Sequence, residues 1–140
     1  VVSLADERGD RFTVRGPVSP REVAKLLHMF HDANLHVTFT TEHEFLICFD
    51  ARETPMGGLF YRQVGSQRVH MEKIVVARKH RGKAVADGLM REFFRRLQAR
   101  GVRWVETGYF QPEYLARFGF RTDPASGGLV CTFPPDALPS

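Results

Sequence analysis

The sequence has no run of eighteen apolar residues in its 140, so no segment of it is predicted to span a membrane. Its first residues reach acidic side chains at once and show no apolar core of a secretory signal, so we expect a cytoplasmic protein. The only cysteines are Cys48 and Cys131, each inside an apolar run. This usage predicts buried, reduced thiols and argues against a disulfide scaffold or a metal centre.

The composition is that of a globular protein, with 43% apolar and 26% charged residues. At this length we expect a single domain over residues 1–140, with residues 1–10 and 134–140 frayed. The net charge of +4 is unevenly placed, because the stretch from Arg78 to Arg103 holds ten basic residues, one of them a histidine, against two acidic ones. This stretch indicates either an anionic partner or a solvated helix face, and composition alone leaves both open.

The hydrophobic periodicity predicts an α+β fold. Ser19 and Glu22 form a capping box around Pro20 and begin a helix that runs to about Ala33. Apolar runs of strand length predict strands at 11–15, 45–49, 57–64, 69–77, 102–107, 120–122 and 129–133. Helical spacing predicts two further helices at 84–100 and 112–118. The expected architecture is a single mixed, mostly antiparallel central sheet flanked by helices. Residues 34–44 read equally as a strand or as an irregular loop.

The most informative motif is a strand that runs into a basic turn of small residues, which in turn opens a helix. The first N–H groups of a helix have no intrahelical partner and lie at the positive end of its dipole. Small residues at Gly82, Ala84 and Ala86 leave room for an anion there, and Arg81 and Lys83 add positive charge. The turn therefore predicts a pyrophosphate site, although it matches neither a Walker A loop nor a dinucleotide-binding glycine fingerprint.

On these residues the sequence resembles the GNAT superfamily of acetyl-CoA-dependent N-acetyltransferases. The family signature Arg/Gln-x-x-Gly-x-Gly/Ala corresponds to Arg81-x-x-Ala84-x-Ala86, after the aliphatic run Ile74-Val75-Val76. A second hallmark of the family, an aromatic helix that closes in Gly-Phe, corresponds to Tyr114–Phe120. The order of the predicted elements also agrees with that of the family along nearly the whole chain.

The resemblance implies that the two central strands splay apart and that acetyl-CoA, the cosubstrate, lies between them. Its pantetheine arm would follow main-chain groups near Ile74, Val75 and Val76, one of whose amides would polarise the thioester carbonyl. Its pyrophosphate would lie on the turn formed by Arg81, Gly82, Lys83, Ala84, Val85 and Ala86. The implied reaction is direct attack by an amine, of a small molecule or a protein, without a metal or a covalent enzyme intermediate. Dimers are common in the family, so a homodimer is an open expectation.

The chain departs from the family pattern at two positions. Ala84 stands where the family most often has glycine, and its methyl group would crowd the phosphates. Leu115 stands where many members have the tyrosine that protonates the leaving thiolate. Tyr114, one residue earlier on the same helix, is a candidate for that acid or a packing residue, and Tyr109 is another candidate.

Glu72 is the best candidate for the general base. Strand alternation predicts that it shares a face with Ile74 and Val76, and it would need a pKa raised by burial to accept a proton from an ammonium group. The alternative is a glutamate that pairs with Lys73 or with an arginine of a neighbouring strand. His70 is the other candidate base.

Two further functions are compatible with the sequence. A domain that binds CoA without catalysis, as a regulatory part of a larger protein, agrees with Leu115 and with the absence of an initiator methionine. Nucleic acid is not an expected partner, because only the charge of the basic stretch favours it and no aromatic stacking platform accompanies that charge. The acceptor would be set by loops at 34–44, 109–112 and 123–128, whose sequences identify no substrate.

Overall fold

The computed structural model describes residues 1–6, 8–82, 84–108 and 111–133. In these residues the chain forms eight strands and three α-helices, in the order β1 Val2–Ala5, β2 Arg11–Arg15, α1 Pro20–Asp32, β3 Glu44–Phe49, β4 Pro55–Gly65, β5 Arg68–Val76, α2 Val85–Ala99, β6 Trp104–Thr107, α3 Pro112–Ala116, β7 Arg121–Thr122 and β8 Leu129–Thr132. The predicted strands and helices are confirmed to within a few residues. Residues 34–43 form neither a strand nor a helix.

All eight strands belong to one mixed sheet with the order β1-β2-β3-β4-β5-β6-β8-β7. Every neighbouring pair is antiparallel except β5 and β6, which run parallel because α2 connects them as a crossover. The predicted α+β class and mostly antiparallel sheet are therefore confirmed. The expectation that residues 1–10 are frayed is wrong for Val2–Ala5, because this segment pairs along its full length with β2.

Helix α1 begins where the capping signals predict, although the Glu22 carboxylate accepts from the Val18 amide at 2.9 Å, whereas the predicted capping box would use the Ser19 amide. The Ser19 hydroxyl accepts a hydrogen bond from the Glu22 amide at 3.4 Å, and Pro20 occupies the first turn, where its missing N–H costs nothing. The Glu22 carboxylate accepts two hydrogen bonds from the guanidinium of Arg15, at 3.0 and 2.9 Å. These contacts join the start of the helix to β2.

The core lies on both faces of the sheet, because successive strand residues point to opposite sides. On one side α1 packs its buried Leu26 and Phe30 against Ile47, Phe49, Phe60 and Val75. We call this side the α1 face. On the other side, the α2 face, helix α2 contributes Val85, Leu89, Met90, Phe93, Phe94 and Leu97. No helix among the described residues is long and apolar enough to cross a membrane.

The pairing of the two central parallel strands ends before β5 does, because β6 ends at Thr107. The pairing of β5 with β6 covers Arg68–Met71 against Trp104–Thr107 and stops there. The Thr107 hydroxyl donates to the Met71 carbonyl at 2.8 Å at the point of separation. Residues 72–76 of β5 continue with β4 on one side and have no strand partner on the other side in the described part of the chain, and we call the space beside this open edge the gap.

Candidate functional site

The gap leads directly into the turn that the sequence predicts as an anion site. A short 3₁₀ turn, Arg78–His80, follows β5, and α2 begins at Val85. The backbone φ angle is +77° at Gly82 and +63° at Ala84, so the chain bends twice through the left-handed region before the helix. Lys83, which lies between them in sequence, is outside the described residues. The first amides of α2, which lack intrahelical partners, end this turn.

Ala84 is the N-cap residue of α2, and its φ and ψ angles are +63° and +18°. It makes no side-chain capping bond. A residue with a Cβ atom pays about 1–2 kcal/mol for this left-handed conformation, whereas glycine adopts it freely. The signature glycine that Ala84 replaces therefore has a backbone reason as well as the steric one expected from the sequence.

A cavity of about 290 Å³ opens over the start of α2. Its walls come from the end of β5, the turn, the first turn of α2 and α3, through Val76, His80, Arg81, Gly82, Ala84, Val85, Ala86, Asp87, Tyr114 and Arg117. Every described residue of the predicted pyrophosphate turn lines it. A second cavity of about 550 Å³ lies between the end of α1 and the same turn, and Arg81 borders both cavities.

The main-chain groups of Ile74 and Val76 face the gap. The Ala77 amide donates to the Met56 carbonyl at 2.8 Å on the β4 side, so alternation turns Val75 towards β4 and its two neighbours away from it. The Arg81 Nε donates to the outward carbonyl of Val76 at 2.9 Å, in agreement with this orientation. The edge of β5 along the gap therefore offers donors and acceptors at every second residue.

Glu72 occupies a β-bulge at the point where the strands separate. Phe60 pairs with Lys73 and Tyr61 with Met71, so Glu72 is the extra residue of β5. The bulge reverses the alternation of side chains along β5. The Glu72 carboxylate therefore contacts groups on the α1 face, whereas Ile74 packs in the core of the α2 face. The prediction that Glu72 shares a face with Ile74 and Val76 is wrong, because it assumed a regular strand.

The Glu72 carboxylate accepts hydrogen bonds from His43 and Arg62 and lies within ion-pair distance of His70. His43 Nε2 lies 2.7 Å and Arg62 Nε 3.3 Å from its Oε2 atom. His70 Nε2 lies 3.1 Å from its Oε1 atom. The alternative prediction of pairing with a neighbouring-strand arginine is confirmed, since Arg62 is on β4. The partner on β5 is His70, the other candidate base.

The pKa of Glu72 is lowered from its ordinary value. Burial is the largest single influence and acts upward, but the hydrogen bonds from His43 and Arg62 and the charge of His70 together outweigh it. The expectation of a pKa raised by burial is therefore wrong, because the bulge brings donors to the carboxylate. Glu72 is therefore an ionised hydrogen-bond acceptor, and its neighbours stabilise the negative charge.

His70 bridges two carboxylates across the central strands. Its Nδ1 atom lies 2.8 Å from Glu106 Oε2 on β6, and its Nε2 atom faces Glu72. Arg68 Nη1 contacts the other oxygen of Glu106 at 3.3 Å. An imidazolium has a proton on both nitrogens and satisfies both carboxylates at once. Acidic and basic groups thus alternate along the point of separation.

Tyr114 lies on the α2 face, away from Glu72, and its hydroxyl donates to Asp87 Oδ1 at 2.9 Å. Arg117 Nη2 lies 2.7 Å from the other oxygen of Asp87, and the Tyr114 ring packs edge-on against Phe118. Burial and, next, the hydrogen bond to Asp87 raise the pKa of Tyr114. A hydroxyl whose proton is held by a carboxylate is a weak acid, which favours the packing interpretation. Leu115 is fully buried, and Tyr109 lies outside the described residues.

Three arginines in the second half of the basic stretch form ion pairs within the protein. Glu92 is only 4% exposed and accepts from Arg95 at 2.6 Å and from Arg96 at 2.7 Å. The hydrogen bond from Arg95 is the main reason that the pKa of Glu92 is lowered. Arg100 contacts Glu44 at 3.4 Å. These contacts favour the helix-face interpretation for this part of α2 over a nucleic-acid surface.

The two cysteines take no part in the site. Both are buried and free, as predicted, and burial raises the pKa of the Cys48 thiol to about 12 and that of Cys131 to about 11. Among the described residues, no cluster of three or more histidine, cysteine or acidic side chains has the arrangement of a metal site.

Sequence reasoning missed His43, Glu106 and Asp87 as members of the site. His43 precedes β3 by one residue and had no visible link to β5, while Glu106 becomes adjacent to His70 only through the parallel register. Glu106 could have been found by aligning the two predicted central strands, because each carries charged residues and the correct register places Glu106 beside His70. No local pattern points to the bulge that brings Glu72 to His43.

The sequence profile of the acetyltransferase (GNAT) family matches residues 3–120. No curated protein matches the chain at a significant level.

Several solved structures share the fold. Gcn5 from Tetrahymena superposes with a TM-score of 0.73 at 16% identity, over 90% of this chain and 98% of that one. YhbS from Escherichia coli, a GNAT family N-acetyltransferase in complex with CoA, has a TM-score of 0.65 at 22% identity, over 86% and 81% of the two chains. A GNAT family acetyltransferase from Brucella melitensis in complex with acetyl-CoA has a TM-score of 0.68 at 15% identity, over 91% of each chain. At these identities the likeness establishes the fold.

Proposed function

We propose that this chain, which belongs to the GNAT family of acetyltransferases, transfers an acetyl group from acetyl-CoA to an amine by direct attack in a ternary complex. The observation that carries the proposal is the gap between β5 and β6, whose open edge at residues 72–76 leads directly into the anion turn. A ligand with an extended amide chain and a pyrophosphate at one end matches both features. Two of the structural neighbours were solved with CoA or acetyl-CoA bound.

The pantetheine arm would lie along the open edge as an added strand. The main-chain groups of Ile74 and Val76 would form hydrogen bonds with it, since they face the gap. Val75, whose main-chain groups face β4, would hold these two residues in place. The pyrophosphate would lie over the first amides of α2, with Arg81 beside it. Lys83, Val85 and Ala86 belong to the same proposed turn.

The chemistry needs little beyond position. The amine nitrogen would attack the thioester carbon, forming the N–C bond, while the C–S bond breaks and CoA leaves as a thiolate. An amide of β5 that faces the gap would hold the oxyanion, and removing one such donor typically costs about 2.7–4 kcal/mol of transition-state stabilisation. A thiolate is a tolerable leaving group near neutral pH, so the reaction does not require Tyr114 as an acid.

Glu72 and its partners would receive the proton that the amine loses. The carboxylate lies where the two strands separate, on the side that borders the 34–44 segment. Because these partners lower its pKa, Glu72 alone is a weak base. As Glu72 takes the proton from the amine, the His70 imidazolium would pass its Nδ1 proton to Glu106, to which it is hydrogen-bonded. Exchange of the proton with solvent would follow through the more exposed Glu106, whose side chain is 34% exposed.

The second candidate is a CoA-binding domain without catalysis. One observation favours it: the Tyr114 hydroxyl is hydrogen-bonded to Asp87 and Leu115 is buried, so the described helix α3 provides no free tyrosine hydroxyl to protonate the leaving thiolate. Binding without turnover is its signature.

The test is calorimetric titration of acetyl-CoA into the wild type, Arg81→Ala and the control Arg121→Ala, which alters an exposed arginine at the far edge of the sheet. We expect binding that weakens by about tenfold or more in Arg81→Ala, the effect of losing one charge-assisted contact, and no change in the control. Equal affinities in all three would contradict the placement of the pyrophosphate.

A panel of amine acceptors, assayed for CoA thiol release, then separates the two functions. Glu72→Gln should lower kcat while leaving acetyl-CoA affinity unchanged, because the carboxylate is distant from the turn. Tight binding with no thiol release from any amine would support the regulatory domain instead.

A further inference from the structure

One contact outside the proposed CoA path ties a loop to the candidate base. Residues 35–43, the connecting segment, join α1 to β3 without regular secondary structure. Leu35, Val37 and Phe39 pack against the core of the α1 face, so hydrophobic burial holds the segment down. Its last residue, His43, carries the 2.7 Å hydrogen bond to Glu72 described above.

The surroundings of His43 determine where its proton lies. The Nδ1 atom accepts a hydrogen bond from the Thr40 amide at 3.0 Å, so Nδ1 carries no proton and the proton of the neutral ring is on Nε2. That proton is donated to Glu72 Oε2. The ring packs edge-on against Phe60, with 4.9 Å between centroids, and its side chain is only 6% exposed. The ring is therefore oriented from three directions.

The contact joins two features that the sequence separates by 29 residues. The bulge leaves Glu72 without an opposite residue on β4, so its side chain depends on side-chain partners for its orientation. Of these partners, Arg62 is at 3.3 Å and 39% exposed, and His70 is at 3.1 Å and 21% exposed. His43 makes the shortest contact with Glu72 and is the most buried of the three partners. It lies in a loop, whereas Arg62 and His70 lie in the sheet.

We infer that His43 is a positioning residue that couples docking of the connecting segment to the orientation and basicity of Glu72. With the segment docked, Oε2 is held by His43 and Oε1 faces His70. With the segment lifted, Glu72 loses its shortest donor, and its affinity for a proton increases. An acceptor that displaces the segment would thereby make Glu72 a stronger base. This inference rests on the proposed function, in which Glu72 receives the amine proton.

The test compares His43→Ala and His43→Gln with the control His28→Gln, which alters an exposed histidine of α1. The Glu72 carboxyl carbon is titrated by NMR in each ligand-free protein. We expect its pKa to rise by about one unit in His43→Ala, the size of a lost charge-assisted hydrogen bond. The side-chain amide of His43→Gln can still donate to the carboxylate, so the titration should return towards that of the wild type.

Amide hydrogen exchange provides a second readout and shows whether the alanine variant is folded. Amide exchange of Thr40 should accelerate in His43→Ala, because its acceptor is removed, while exchange in α1 and β4 should remain as in the wild type. An unchanged Glu72 titration in a folded His43→Ala, or a shift of equal size in His43→Gln, would overturn the inference.

The same variants, assayed for thiol release with the amine panel, separate this inference from the proposed function. If the wild type transfers acetyl groups, His43→Ala should shift the acidic limb of the kcat profile upward and His43→Gln should restore it. If the wild type binds acetyl-CoA but transfers nothing, the proposed function fails, whereas the NMR titration still decides whether His43 controls Glu72.

Discussion

Replacing Ala84 by glycine should stabilise the protein, although glycine inside a helix ordinarily costs stability. The φ angle of +63° at Ala84 costs a residue with a Cβ atom about 1–2 kcal/mol. Glycine also gives the unfolded chain more conformational freedom, which offsets about 0.4–1 kcal/mol of the stability gained by removing that strain. The expected net gain is about 0.5–1 kcal/mol in the free energy of unfolding, which corresponds to a Tm increase of about 1–4 °C for a chain of this size.

Ala86→Gly is the matched control, because it makes the same chemical change two residues later. Ala86 lies inside α2, where the backbone is helical and relieves no strain on substitution. Glycine there should cost about 0.5–1 kcal/mol relative to alanine. The two substitutions should therefore change stability in opposite directions. Urea denaturation at neutral pH, with the m value compared among the three proteins, measures both.

The same pair tests the turn as a ligand site. Ala84→Gly removes a methyl group that lines the cavity over α2, so acetyl-CoA should bind at least as tightly as in the wild type. An equal loss of stability in both variants would refute the argument, since it would mean that Ala84 is not held in the left-handed conformation. A gain in stability with a large loss of CoA affinity would refute the placement of the pyrophosphate beside it.

Three further substitutions test other contacts. Gly57→Ala should destabilise the protein by about 1–3 kcal/mol, because its Cβ atom would lie 2.5 Å from the Val75 carbonyl oxygen and overpack β4 against β5, and thermal denaturation measures the loss. Glu22 has a pKa of about 2, lowered mainly by its hydrogen bond from Arg15, so the stability it contributes is complete above about pH 4.5 and is lost as the pH falls towards 2. Glu22→Gln should cost about 1 kcal/mol at pH 7 and flatten the dependence of stability on pH over that window, as acid titration of unfolding would reveal; an unchanged slope would contradict this. Tyr114→Phe should cost about 1 kcal/mol of stability through the lost hydrogen bond and leave kcat within a few-fold, whereas a loss of a hundredfold or more would identify the hydroxyl as the acid after all.

The local features of this chain were predictable because short-range physics determines them. The Ser19 cap and Pro20 begin α1 where the first amides need an acceptor, and alternating or continuous apolar runs mark the strands. The anion turn was equally visible, since a strand, a run of small and basic residues and a helix start are adjacent in sequence. The family resemblance then supplied the order of the elements and identified the two central strands, whereas their parallel pairing became visible only in the structure.

Only the tertiary structure decided the chemistry at the point of separation. Strand alternation placed Glu72 on the wrong face, because a bulge adds one residue and reverses every side chain beyond it without a local signal. The partners of Glu72 come from β4, from β5 and from the connecting segment, and their meeting depends on the strand register and on packing. The strand Val2–Ala5 was missed for a related reason: an edge strand exists through its partner, and its own sequence is too short to indicate it. Sequence determines the elements and the anion turn through neighbours along the chain, whereas the protonation of a carboxylate depends on neighbours in space.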